Sequence, residues 1–409
     1  MVKKLKEIAS KQSSLVFTDQ LIFSGSNFLL TFLLARKLSI SDFGFFSCVL
    51  LVTYFLVGIC NAVIVQPFQI SAAKEFSRKS LGFVFQAVLL LIFIFALLLF
   101  AAKFLPISAI EFFKRNLSAV ILFTTAYIFQ DFVRKILLTL DHIQILLFID
   151  CIFLAVFPFI WVEESLSLFK SLYIIGIINF IATIPGIIYF IKNSDFSLKN
   201  NSLFRYHFKE GKWLLSASVV QWFSNNFFTL VAGIYLGTNA LGALRLVQSF
   251  FGIINIILQT VENYYLPKTA LLHYQNKGQE KKELLKNMSK GMAVLGVLIA
   301  GFFIFSEPII TFLGGQKYHQ YGFVIRLISV LYIVILYGYP TRIAIRILEQ
   351  NKVFFIGYCI SFMFSLLSFH FLLKYFELYG AVSGLVINQV LMVVYWKILL
   401  NKKNISVWA

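Results

Sequence analysis

Charge is scarce in this sequence: 13% of its 409 residues are Asp, Glu, Lys or Arg, against 59% hydrophobic. A soluble chain of this length could not cover such a composition with polar surface, so a soluble globular fold is excluded. Cysteine is rare as well. Cys48, Cys60, Cys151 and Cys359 all fall inside apolar runs with no paired spacing, which argues against a disulfide framework or a thiolate metal site. The five histidines are scattered, with no two at helix-face spacing, so no metal site is expected from them either. Acids are few, 18 against 36 Lys and Arg, giving a net charge of +18. That excess could suit nucleic acid. The basic residues sit instead in short segments between apolar runs, as the positive-inside rule requires, and no nucleic-acid partner is expected.

What is abundant is apolar sequence in runs of about twenty residues, each long enough to cross a hydrocarbon core of roughly 30 Å as a helix. The alternating short segments of a membrane barrel do not occur. The expected fold is an all-α polytopic membrane protein with twelve spans, near 14–35, 43–65, 83–105, 117–139, 143–162, 169–191, 213–236, 242–264, 290–313, 322–346, 353–373 and 380–400. The basic start "MVKKLKEIAS" precedes a run that contains Asp19 and lacks a small-residue cleavage site, so an uncleaved first span is expected. With the N-terminus in the cytoplasm, 26 of the 36 Lys and Arg fall on the cytoplasmic side and 10 on the other. That asymmetry supports N-in and C-in. Outer connections are short, such as "GTN" at 237–239. The two largest loops, 192–212 and 267–290, are both cytoplasmic. The second suits a basic amphipathic helix lying on the inner leaflet.

The chain also repeats itself. "LSISDFG" (38–44) lies over "LGTNALG" (236–242), setting Gly44 on Gly242, with Pro67 and Pro267 following at similar distances. "RKILLTLDHIQ" (134–144) lies over "RIAIRILEQNK" (342–352), setting Arg134 on Arg342 and Asp141 on Glu349. A third pair joins Leu172, Tyr173 and Tyr189 to Leu378, Tyr379 and Tyr395. The offsets are 198, 208 and 206. Two parallel six-helix lobes are expected, residues 1–200 and 201–409, related by an axis along the membrane normal and enclosing a central cavity.

Four segments resemble a known family. "LLARKLSISDFGFF", "DFVRKILLTLDHIQILLFID", "FSEPIITFLGGQKYHQYGFVIRLIS" and "YFELYGAVSGLVINQVL" are similar, in order, to stretches of bacterial polysaccharide and O-antigen flippases. The resemblance covers nearly the whole chain. It implies membership of the multidrug, oligosaccharidyl-lipid and polysaccharide exporter superfamily. It further implies a flippase that carries undecaprenyl-pyrophosphate-linked oligosaccharide from the inner to the outer leaflet of the bacterial inner membrane. The implied partners are that lipid-linked sugar, membrane lipids, and the polysaccharide polymerase and glycosyltransferases of the same pathway. No cofactor is implied; H+ or Na+ is the implied coupling ion.

A pyrophosphate in a membrane cavity needs fixed cations, and arginine offers permanent charge in a forked geometry. The substrate-binding candidates are Arg245, Arg326, Arg134, Arg342 and Arg346, with headgroup anchoring as the competing reading. Gln221 and Asn225 share a helical face and are candidates for a sugar path; ordinary interhelical hydrogen bonding is the alternative. Asp19 and Asp150 lie within apolar spans, at a cost on the order of 3 kcal/mol each. They suit ion coupling, or else they pair structurally with a neighbouring arginine. Glu262, near the inner end of the eighth span, reads as interfacial.

Two other functions compete. A membrane polysaccharide polymerase would need a substantial outer loop with catalytic groups, and the outer loops are too short, so an enzyme is not expected. A cation-coupled multidrug exporter of the same superfamily would need an acid-rich cavity, whereas the candidates here are mostly basic. The topology has a direct test: cysteine placed at Thr238 reacts with an impermeant reagent from outside, and cysteine at Lys199 does not. The reverse labelling pattern would overturn N-in, C-in.

Overall fold

With no water to bond in hydrocarbon, a chain of this composition satisfies its backbone within helices. A computed structural model describes residues 2–72, 76–104, 111–196, 201–275, 278–348 and 350–402, and no strand occurs among them. In the first half run α1 (Val2–Lys37), α2 (Ile40–Cys60), α3 (Gln66–Ala72), α4 (Arg78–Ala101), α5 (Glu111–Arg115), α6 (Leu117–Thr139), α7 (Ile143–Phe153), α8 (Val156–Val162) and α9 (Leu168–Asn193). In the second run α10 (Asn201–Tyr235), α11 (Thr238–Tyr274), α12 (Gly278–Ile304), α13 (Ser306–Gly314), α14 (Gly322–Ile347) and α15 (Asn351–Lys402).

Among the described residues, nine helical segments are long and apolar enough to cross a membrane. One of them, α15, is two helices in a hairpin. Glu377 has non-helical φ 46° and ψ −127°, and a methyl group on Gly380 would sit 2.0 Å from the Leu372 carbonyl oxygen, so the chain doubles back there. With its legs counted separately, and with α1 and α10, twelve long elements result. α1 and α10 fall outside the nine because polar residues interrupt their apolar runs.

The chain forms two compact units, Met1–Leu38 with Phe45–Val219, and Ser39–Gly44 with Val220–Ala409. In the first, α6 packs along α9, α4 and α7. Its core includes Phe190 stacked against Phe85 at 5.1 Å and Phe132 at 5.6 Å. A π-helical turn, Asn61–Val65, links α2 to α3. Pro67 lacks the N–H that would bond the Val63 carbonyl. That carbonyl instead lies 3.2 Å from His207 Nδ1 on α10. A carbonyl only accepts, so the Nδ1 carries the proton. In the second unit α14 packs along α15, α12 and α11, and Trp396 stacks on Phe354 at 5.2 Å.

The repeat is visible in the helix ends. α2 begins at Ile40 and α11 at Thr238, again 198 apart; α6 ends at Thr139 and α14 at Ile347, again 208 apart. Glu349, the repeat partner of Asp141, lies outside the described residues. The two copies of the first turn meet within the second unit. A methyl group on Gly44 would lie 1.9 Å from the Thr238 carbonyl oxygen, and one on Gly242 would lie 2.8 Å from that of Ile40. Each glycine faces the first residue of the other copy's helix. Ser41 and Thr238 hydroxyls add a 2.9 Å hydrogen bond.

Two loop expectations are corrected. Residues 201–212 belong to α10, so only 194–200 separate α9 from α10. Residues 267–290 contain no separate surface helix among the described residues: α11 runs to Tyr274 and α12 starts at Gly278. The 37 residues of α11 reach about 55 Å, so this helix outruns the hydrocarbon core and carries its polar end into water.

The glycine crossing sets an expectation. Gly44→Ala and Gly242→Ala each lower the thermal unfolding temperature in detergent, equivalent to about 1–3 kcal/mol of overpacking. Gly25→Ala, where a methyl group meets nothing within 4 Å, leaves it unchanged or raises it. Equal effects at all three glycines would refute the close crossing.

Candidate functional site

Arg134 sits near the end of α6, and its guanidinium turns into the first unit. Nε donates to Asp150 Oδ1 at 2.9 Å, and Nη2 donates to Asp150 Oδ2 at 3.0 Å and Asp19 Oδ2 at 2.9 Å. The Phe23 ring covers the guanidinium at 3.5 Å. All three charged residues are buried, and Asp19 Oδ1 has no hydrogen-bond partner among the described residues. Two carboxylates against one guanidinium leave a formal charge of −1. The sequence thus offered one of these residues for substrate and two for an ion, and the fold makes them one cluster. Elsewhere in the unit, Asp131 and Lys135 pair at 2.7 Å, and Thr53 and Thr124 hydroxyls meet at 3.1 Å.

The second unit holds a cavity of about 480 Å³ lined entirely by its own residues. Gln221, Asn225, Arg245 and Arg342, all expected from the sequence, line it, as do Gln248, Asn255, Gln259, Asn388 and Gln389. Arg245 Nη1 donates to Gln248 Oε1 at 3.2 Å, whose Nε2 donates to Thr229 at 2.8 Å. Glu262 also lines the cavity, and it is 6% exposed rather than interfacial. It survives burial because Arg346 pairs directly with it, Arg342 Nε lies 3.9 Å away, and the Tyr339 hydroxyl donates to it at 2.9 Å. Tyr332, Tyr339, Tyr358 and Trp396 add aromatic walls.

Arg326 and Arg346 are not among the lining residues. Arg326 bonds Glu307 at 2.7 Å and Ser306 at 2.9 Å, with both charged side chains nearly half exposed. Such a pair contributes about 1 kcal/mol at most.

The repeat gives Arg134 and Arg342 the same place in their units but different surroundings. The offset of 198 puts Ala217 opposite Asp19 and Gln221 opposite Phe23; the offset of 208 puts Tyr358 opposite Asp150. Neither matching place carries a carboxylate. Gln221 Nε2 lies 3.4 Å from the Tyr358 hydroxyl instead, and Arg342 turns to Glu262 on α11. Aligning the two copies around their arginines would have exposed this difference from sequence. The aromatic walls would have stayed hidden in a chain that is 17% aromatic.

Twelve long helices among the described residues, with buried charge inside each unit, define a polytopic all-α membrane protein, and solved structures share its fold. The lipid II flippase MurJ, in its inward closed conformation, superposes with a TM-score of 0.71 at 15% identity, covering 95% of this chain and 87% of that one. The inward-facing form of a multidrug resistance MATE family transporter of the MOP superfamily gives 0.70 at 11% identity, over 94% and 95%. The eukaryotic MATE transporter AtDTX14 gives 0.62 at 12%, over 96% and 95%. At these identities the likeness establishes the fold. No curated protein matches the chain by sequence. The family described as polysaccharide biosynthesis protein matches residues 33–323, and the chain belongs to that family.

Proposed function

We propose that this protein is a flippase that moves undecaprenyl-pyrophosphate-linked oligosaccharide from the cytoplasmic to the outer leaflet of the bacterial inner membrane, by alternating access and without covalent chemistry. The observation that carries the reading is the amide-rich, net-basic cavity of the second unit in a member of a polysaccharide biosynthesis family. Amides suit sugar hydroxyls, and arginines suit anionic groups. A cationic drug would meet Arg245 and Arg342 there, so the cavity's charge opposes a multidrug exporter.

In this reading Arg245, Arg342, Gln221 and Asn225 contact substrate, while Arg326 and Arg346 act at the periphery. Asp19 and Asp150 carry the coupling ion, H+ or Na+. Excess negative charge around Arg134 is what a monovalent cation would neutralise. The topology is N-in, C-in. The glycosyltransferases of the pathway supply the lipid-linked sugar and the polymerase consumes it.

Proteoliposomes carrying a fluorescent lipid-linked oligosaccharide test this. The protein accelerates its leaflet exchange and leaves a cationic dye unmoved; dye movement without sugar-lipid movement would replace the reading with the multidrug one. Asp150→Asn, which mimics a permanently protonated acid, abolishes stimulation by an imposed pH gradient while downhill exchange persists. Equal gradient responses in parent and variant would remove Asp150 from coupling.

A further inference from the structure

We infer that the first unit holds a second saccharide subsite, a small pocket between α1, α2 and α6 that receives the acetamido group of an N-acetylated sugar. The inference rests on the flippase reading and deepens it, because it gives the first unit its own contact with the sugar portion of the substrate.

The pocket measures about 20 Å³, and every residue lining it belongs to the first unit. That is room for a methyl group or one water molecule, and too little for a sugar ring. Its floor is apolar and buried, with Leu50, Phe123 and Phe153. Its rim is polar and open: Tyr54 is 37% exposed, and Asn27, Thr31 and Tyr127 are half-buried. Asn27 Nδ2 donates to the Phe23 carbonyl at 2.8 Å, and Thr31 Oγ1 donates to the Asn27 carbonyl at 2.8 Å. Asn27 Oδ1 and Thr31 Oγ1 therefore remain as acceptors, with tyrosine hydroxyls beside them as donors. An acetamido group matches that set. Its methyl fills the floor, its N–H meets one of the two acceptors, and its carbonyl accepts from a tyrosine. A sugar hydroxyl in the methyl's place would lie unbonded on an apolar floor, which is costly. The methyl of a deoxy sugar fits the floor but brings no N–H. No Lys or Arg is among the described lining residues, so a pyrophosphate meets no opposite charge there.

The repeat ties this pocket to the large cavity of the second unit. The offset of 198 sets Asn27 on Asn225, Thr31 on Thr229, Leu50 on Gln248 and Tyr54 on Gly252; the offset of 208 sets Tyr127 on Ile335. Asn225, Gln248 and Ile335 line the large cavity. The pocket is thus its counterpart, narrowed by two tyrosine rings whose centroids lie 5.8 Å apart. In the second unit Gln248 Nε2 donates to Thr229. Leucine at the matching place leaves Thr31 open to a ligand's N–H. On α6, Asp131, Lys135 and Thr139 follow Tyr127 at four-residue steps, all of them half-buried. Asp131 pairs with Lys135, and Thr139 accepts from Gln69 at 3.1 Å. A partly exposed ion pair within a span faces water rather than hydrocarbon, so this side of α6 borders a wet path suited to further sugar hydroxyls.

Isothermal titration of the detergent-solubilised full chain tests this with three tetrasaccharides that differ in one sugar, which is N-acetylglucosamine, glucose or 6-deoxyglucose. The acetylated probe binds at least about fivefold more tightly than either of the others, the effect of one net hydrogen bond. Thr31→Leu fills the pocket and Asn27→Leu removes an acceptor; each lowers the acetylated probe to the affinity of the glucose probe. Unchanged binding of the glucose probe reports that both variants are folded. Equal affinity of the parent for the acetylated and glucose probes would mean that the pocket takes only water, and would overturn the inference. So would a 6-deoxyglucose probe that binds as tightly as the acetylated one, or a preference that survives both substitutions. Each of these results leaves flipping of lipid-linked sugar in proteoliposomes intact, whereas failure of the flippase reading would abolish that flipping.

Discussion

An arginine buried between two aspartates is the constraint on which the first unit depends. Arg134 on α6 holds Asp19 on α1 and Asp150 on α7, so three helices meet through one guanidinium. Charge in such surroundings survives only when paired and hydrogen-bonded, because the desolvation cost is several kcal/mol per ion. Removing one member of such a cluster typically costs about 3–5 kcal/mol. The cluster therefore fixes the helices it joins, and its surplus carboxylate is what remains available for chemistry.

The second unit treats the same duplicated arginine differently. Its carboxylate comes from Glu262 on α11, and Glu262 is shared by Arg342, Arg346 and Tyr339. Two guanidiniums on one carboxylate reverse the local sign. Around them the helices present amides and aromatic rings and leave a cavity, while the core of the first unit includes stacked phenylalanines. The matching arginines of the two sequence repeats thus sit in surroundings of opposite charge. The shared scaffold persists where packing allows no alternative, as at Gly44 and Gly242, whose backbones approach too closely for any side chain.

That same close approach made the repeat legible in the sequence, because only glycine fits there and both copies retain it. The twelve helices were legible from apolar run length. Asp19 and Asp150 stood out because acids rarely occur in such runs. Their convergence on Arg134 was not legible, since 115 residues separate Asp19 from its partner and Arg134 lies where a topology-setting arginine is also expected. Glu262 was misread for a related reason: helix-end position suggested exposure, and the two arginines that bury it lie on another helix. The loop at 267–290 was misread because its charge suits a membrane surface and equally suits the water-exposed ends of two long helices.

If compensated charge organises the first unit, neutralising the acids should undo the damage of losing the arginine. The direct measurement is thermal unfolding, in detergent, of Arg134→Gln, of Asp19→Asn with Asp150→Asn, and of all three changes together. Arg134→Gln alone should unfold far below the parent, and the triple variant should recover most of that loss. Additive losses, with the triple variant the least stable of the set, would contradict an electrostatic role for the cluster.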